Sequence, residues 1–126
     1  MRFANIAFIS IETVLAIHQE QIKEFGGSSG VRDIGLLESA VEQPKQGFGD
    51  EEFYPTAFDK AAVYAYHIAE AQPFIDGNKR TGIVVALTFL AINGYPIKEC
   101  RMELYDAMIA IAKKEMDKEQ LSELFR

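Results

Sequence analysis

Residues 72 to 80, Gln72-Pro73-Phe74-Ile75-Asp76-Gly77-Asn78-Lys79-Arg80, gather a carboxylate, a glycine, a carboxamide and two cations in one short turn. These are side chains that seat Mg²⁺ and phosphate. Pro73 ends the helical pattern before it, because proline lacks a backbone donor and clashes with the preceding turn. Asp76-Gly77-Asn78 then offers turn chemistry and a capping amide, so a new helix is expected to begin near Asn78. A helix N-terminus carries unpaired N–H groups and a partial positive charge, which disfavour Lys79 and Arg80 there. A bound anion removes the conflict, since backbone donors, amide and cations then converge on the same oxygens. Asp76 is the expected ligand for Mg²⁺, a hard cation that prefers oxygen. Gly77 lets the backbone come close. Taken alone, the string also fits an ordinary connection with a solvated Lys-Arg pair.

The elements around this turn read as helices almost throughout. Ser10 caps a first helix whose apolar positions Ile11, Val14, Leu15, Ile22 and Phe25 share a face expected to be core, and Gly26-Gly27 stops it. Arg32-Asp33 precedes a short helix through Leu36, Leu37, Ala40 and Val41 that ends by Pro44. Between Gln43 and Tyr54 lies a loop with three consecutive acids, Asp50-Glu51-Glu52, flanked by Phe48 and Phe53. It fits equally a flap beside the phosphate turn, over a protein substrate, and a solvated connector with both aromatics pinned to the core. Thr56 and Asp59 form a capping box for an alanine-rich helix through Ala69. The helix from Asn78 to Asn93 is apolar nearly all round, which marks it as the central buried helix, and Gly94 is its expected stop. Tyr95-Pro96-Ile97 fits a short extended stretch. Met102, Leu104, Met108 and Ile111 follow on a further segment, and a last short helix is expected near Glu119 to Phe125. The pattern gives an all-α fold in one domain spanning residues 1–126, without repeat or linker.

A chain of 126 residues with 48% hydrophobic content suits a single core that needs neither disulfide nor structural metal. Its single cysteine, Cys100, has no partner within the chain, and a reducing cytoplasm is the expected location. Phe3 to Ile11 is short, is interrupted by Asn5 and Ser10, and reads as a packed first segment rather than a leader. No apolar run has the length of a membrane span. The net charge of −6 makes the phosphate turn a local basic spot on an acidic body. Nucleic acid is disfavoured as a partner, because a phosphate backbone asks for a broad cationic face.

The string at 72–80 resembles the signature of the Fic/Doc superfamily, H-P-F-x-D/E-G/A-N-G/K-R, in seven positions but not the first. The resemblance extends to Val14-Leu15-Ala16-Ile17-His18, to residues 25 to 33, to Leu36-Leu37-Glu38-Ser39-Ala40 and to Phe89 through Tyr95. Lys79, where the Fic branch carries a second glycine, and Ile83, where it carries a second arginine, favour the death-on-curing (Doc) branch. The resemblance implies a compact bundle of about six or seven helices around the buried central one. It implies a toxin that transfers the γ-phosphoryl group of ATP to a threonine or serine hydroxyl of a translation elongation factor, with Mg²⁺ as cofactor. It also implies a cognate antitoxin docking an amphipathic segment between helices. Asp76 would then hold Mg²⁺, Gly77, Asn78, Lys79 and Arg80 would hold the phosphates, and Phe74 would anchor the loop.

Gln72 stands where the family's general base, a histidine, belongs. A carboxamide orients a hydroxyl but takes no proton at useful pH, so loss of the base costs a factor on the order of 10² to 10⁴ in rate. His67, five residues before Gln72, is turned roughly 140° away on a continuous helix and does not replace the missing ring. His18 sits on the first helix, and both histidines read as packed or surface residues rather than catalysts. Asp76 is a weak substitute, since its metal role competes. Two other functions compete with the kinase: a Fic-type adenylyltransferase, against which Lys79 and Ile83 speak, and a non-catalytic nucleotide or partner binder, which Gln72 encourages.

Overall fold

The computed structural model describes residues 6–97 and 101–126, with backbone alone at 101–105 and 112. Phe3, Asn5, Cys100 and the side chains of Met102 and Leu104 lie outside the described residues. Six α-helices follow in order: α1 (Ile11–Phe25), α2 (Ile34–Glu42), α3 (Ala57–Ala71), α4 (Asn78–Ile92), α5 (Arg101–Ala112) and α6 (Lys118–Phe125). A two-residue antiparallel hairpin, β1 (Gly47–Phe48) and β2 (Glu51–Glu52), interrupts the all-α pattern between α2 and α3.

Local chemistry sets most of the helix boundaries. The Ser10 hydroxyl accepts from the Thr13 N–H, and the Asp33 carboxylate accepts from the Leu36 N–H. Thr56 and Asp59 complete the capping box of α3, and Asp117 with Gln120 does the same for α6. Each such cap is worth about 1 kcal/mol. Gly94, in the left-handed region, follows the end of α4, and Tyr95-Pro96-Ile97 continues as irregular chain rather than strand.

The core lies chiefly between α3 and α4. On α3, Ala61, Ala62, Val63, Tyr64, Ala65 and Ile68 have no exposed surface. The small side chains bring the backbones close: a Cβ at Gly82 of α4 would stand 3.1 Å from the Ala65 carbonyl oxygen. Position 82 therefore excludes any larger residue without moving one of the two helices. The central role expected of α4 alone is shared with α3. Thr81, Gly82, Val85, Ala86, Phe89 and Leu90 are buried, whereas Ile83, Val84 and Leu87 are half-buried and Ile92 is exposed. Helices α5 and α6 add Met108, Ile111, Leu121 and Phe125 to the same core.

Two polar ties fix the periphery. The Tyr64 hydroxyl donates to Ile9 O and accepts from Ile9 N–H at 2.8 Å, and burial pushes its pKa up to about 12. Lys60, 2% exposed, donates from Nζ to Glu52 Oε1 and to Tyr54 O, both at 2.6 Å, which ties the hairpin to α3. The hairpin aromatics are not pinned to the core: Phe48 is 84% exposed and Phe53 59%. Phe25, expected in the core, is also exposed, because α1 runs past the edge of the core in its last turn.

Candidate functional site

The turn between α3 and α4 is clamped by backbone bonds to residues 30–33. Gly30 O accepts from Ile75 N–H, and Pro73 O accepts from the Arg32 and Asp33 N–H groups at 2.7 and 3.0 Å. Val31 and Phe74 form an isolated bridge. Within the turn, the Asn78 side chain returns to Phe74, with Oδ1 accepting from Phe74 N–H at 2.9 Å and Nδ2 donating to Phe74 O at 3.0 Å. This corrects the expected role of Asn78 as the cap of α4. Its carboxamide locks the loop into shape, and its backbone N–H is the donor it leaves open.

The residue at the N-cap is Gly77, in the left-handed region at φ 76°, and no side chain caps α4. The first-turn N–H groups of Asn78, Lys79 and Arg80 therefore have no intrahelical acceptor. Neither Lys79 nor Arg80 enters an ion pair among the described residues. The Arg80 guanidinium instead lies over the Phe25 ring, 4.7 Å from its centroid. Asp76 through Arg80 line a recess of about 150 Å³, so one concave surface carries three backbone donors, two cations and one carboxylate.

Asp76 is exposed, and its oxygens accept from Gly77 N–H at 2.9 Å and Ser28 N–H at 3.2 Å. No group of three metal-ligating side chains occurs among the described residues. A lone oriented carboxylate at the edge of such a recess has the chemistry of an Mg²⁺ site, since that ion keeps several waters and asks for few protein ligands. The residues present fit that ion, and Asp76 is the side chain that would hold it.

Gln72 is exposed and adopts the left-handed conformation at φ 53° and ψ 60°, unusual for a non-glycine residue and unfavourable before proline. Pro73 and Phe74 beneath it are buried. The two histidines have separate surroundings. His67 faces α6, with Nε2 3.4 Å from Lys118 Nζ. Burial first, and the Lys118 charge second, lower its pKa to about 4. His18 is packed, at 4% exposure, and touches the loop. Its ring stacks on Phe74 with centroids 3.8 Å apart, and Nε2 lies 2.8 Å from Asp76 O.

The link from His18 to the loop had one signal in the sequence. Val14, His18 and Gln21 share the buried stripe of α1, and a histidine on a core-facing stripe needs a polar partner. Arg32, which binds the carbonyls of Ala71 and Gln72, had no such signal.

Comparison with known proteins bears directly on this geometry. The model of the Fic/DOC family matches residues 8–90, which include α1, the clamp and the whole loop. The chain belongs to the Fic/DOC family. A Protein kinase doc from Escherichia phage P1 is 30% identical over 118 residues, covering 94% of this chain and 92% of that protein. A Toxin Doc from Mycolicibacterium smegmatis is 46% identical over 70 residues, 56% of this chain and about half of that protein, 54%. Both relatives place the chain in the Doc branch of the Fic/DOC family, as the sequence resemblance implied. No described helix of this Doc-branch chain is long and apolar enough to cross a membrane.

Proposed function

We propose that this Doc-branch chain is the toxin of a toxin–antitoxin pair, acting in the cytoplasm as an ATP-dependent protein kinase slowed by Gln72. The uncapped start of α4 carries the reading: open N–H groups and two cationic residues without an ion pair among the described residues border a recess next to a single carboxylate. Positioning and charge stabilisation dominate phosphoryl transfer, and this site is built for both.

In the proposed reaction, a threonine or serine hydroxyl oxygen of a translation elongation factor forms a bond to the γ-phosphorus, the bond to the bridging oxygen breaks, and ADP leaves. Lys79, Arg80 and the first-turn N–H groups hold the phosphate oxygens. Asp76 would hold Mg²⁺, and the ion would supply neutralisation of phosphate charge. The attacking hydroxyl gives up its proton to water or to an oxygen of the transferred phosphoryl group, because Gln72 orients it without accepting that proton.

The relatives' names support an antitoxin partner. A groove of about 730 Å³ lined by residues of α1 and by Val84, with Ala16 and Ile17 beside Glu12 and Glu20, gives an amphipathic segment both apolar and charged walls.

A non-catalytic binder is the second reading, and Gln72 is the observation that favours it. An adenylyltransferase would leave pyrophosphate and place AMP on the target. The Gln72→His variant and the parent, each incubated with cell extract and ATP labelled at the α or the γ position, separate all three. The kinase reading expects γ-label on a discrete protein, with a rate higher by about 10² to 10⁴ for Gln72→His. Transfer of α-label identifies the adenylyltransferase, and no transfer with retained ATP binding identifies the binder.

A further inference from the structure

Among the described residues, His18 is the buried polar side chain outside the loop that hydrogen-bonds into it. Its partner, Asp76 O, is a carbonyl that only accepts, so Nε2 carries the proton in this 2.8 Å contact. The residues at each end of the contact are separated by 58 positions. The same ring lies flat on Phe74, 3.8 Å between centroids and 5° from parallel, and Phe74 is the residue that Asn78 grips from the other side. A Cβ at Gly77 would stand 3.2 Å from Ile22 Cδ1 and 3.9 Å from His18 Nε2, so α1 forms the floor directly under the N-cap of α4.

These contacts divide into two functions. The stack is apolar packing that any flat ring of similar size supplies. The hydrogen bond fixes the Asp76–Gly77 peptide, and with it both the Asp76 carboxylate, which accepts from Gly77 N–H, and the start of the row of open N–H groups at Asn78, Lys79 and Arg80. An Asp76 carbonyl that lost its donor would be free to rotate toward water, and the peptide would turn with it.

We infer that His18 is a positioning residue for phosphate binding, acting through its Nε2–H on the Asp76 carbonyl rather than through its bulk. The inference rests on the phosphate-seat reading of the loop. It assigns α1 a part in ligand affinity although His18 is not among the residues that line the recess.

Two substitutions separate donor from ring. His18→Phe keeps the aromatic stack and removes the donor, whereas His18→Gln removes the ring and places an amide N–H where Nε2 was. Calorimetry with Mg²⁺ and pyrophosphate measures affinity, and amide hydrogen exchange without ligand measures protection of the bonded loop amides of Phe74, Ile75, Gly77 and Thr81. We expect His18→Phe to melt near the parent temperature, to lose about tenfold in pyrophosphate affinity, and to lose protection in the loop, consistent with an unmade hydrogen bond. His18→Gln should stay within about threefold of the parent in affinity, with loop protection retained, whatever its melting temperature. Parent-like loop protection in His18→Phe, or a His18→Gln as impaired as His18→Phe, overturns the inference. A parent that binds no pyrophosphate overturns the phosphate-seat reading, and the exchange comparison in the free protein still decides the role of His18.

Discussion

The Arg32 guanidinium bridges two consecutive carbonyls at the end of α3, donating from Nε to Gln72 O and from Nη2 to Ala71 O, each at 2.8 Å. This fork satisfies carbonyls that a helix C-terminus leaves open, and it does so at the residue held in the left-handed region. A non-glycine residue there costs about 1–2 kcal/mol, so the conformation persists because its surroundings impose it. Arg32 contributes to that restraint, together with the backbone bonds from its own and the Asp33 N–H to Pro73 O, at the position where the kinase reading expects a base.

Arg32→Ala should therefore cost about 1 kcal/mol in denaturant unfolding, the typical net worth of a hydrogen bond. In a Gln72→His background it should also lower kcat by about tenfold, with KM for ATP nearly unchanged, because misorientation of one reacting group is felt in the rate. Arg32→Lys should not rescue either effect, since a single ammonium lacks the planar fork.

Helix placement was legible in the sequence because it is local. Ser10, Asp33, the Thr56–Asp59 box and Gly94 act on backbone groups within a few residues, and each stands at the boundary expected of it. That Asp76 through Arg80 gather around one recess at the start of α4 was also legible, since their charge pattern contradicts ordinary helix-start chemistry. Arg32 and Lys60 were not, and His18 only as a core-facing histidine in need of a partner, because their roles depend on partners that the tertiary fold brings near, 40 residues away for Arg32 and 58 for His18. Asn78 was misread for a related reason. An asparagine at a helix start has two uses, capping forward or closing the turn behind it, and packing of Phe74 into the core selects the second.

Gly27 controls the direction of Asp76. At φ 117°, a Cβ there would stand 2.8 Å from Asp76 Oδ2 and 3.2 Å from Ile22 Cδ1. Gly27→Ala should destabilise the protein by about 1–3 kcal/mol and displace the carboxylate. The specific consequence is a loss of Mg²⁺-dependent ATP affinity by about tenfold, read as a smaller difference between titrations with Mg²⁺ and with a chelator.

His67 should make stability depend on pH. Its pKa in the fold is about 4, below the usual value of 6.5, chiefly through burial and secondarily through Lys118, with Glu70 acting in the opposite direction. The unfolded chain thus binds the extra proton first, and the stability associated with neutral His67 is complete above 6.5 and is lost as pH falls toward 4. Solvent screening of a half-buried ring reduces the contribution to on the order of 1–2 kcal/mol. Denaturant midpoints across pH 4 to 7 should show this slope in the parent, and His67→Gln should flatten it by that amount.

The central claim is that the N-terminus of α4, with Lys79 and Arg80, seats a phosphate chain. Titration calorimetry with ATP and Mg²⁺, comparing the parent with the Lys79→Ala/Arg80→Ala double variant, tests it most directly. Two lost charge-assisted contacts predict an affinity at least about a hundredfold weaker in the double variant, at unchanged melting temperature. A parent that releases no heat, or a double variant that binds ATP as tightly as the parent, would contradict it.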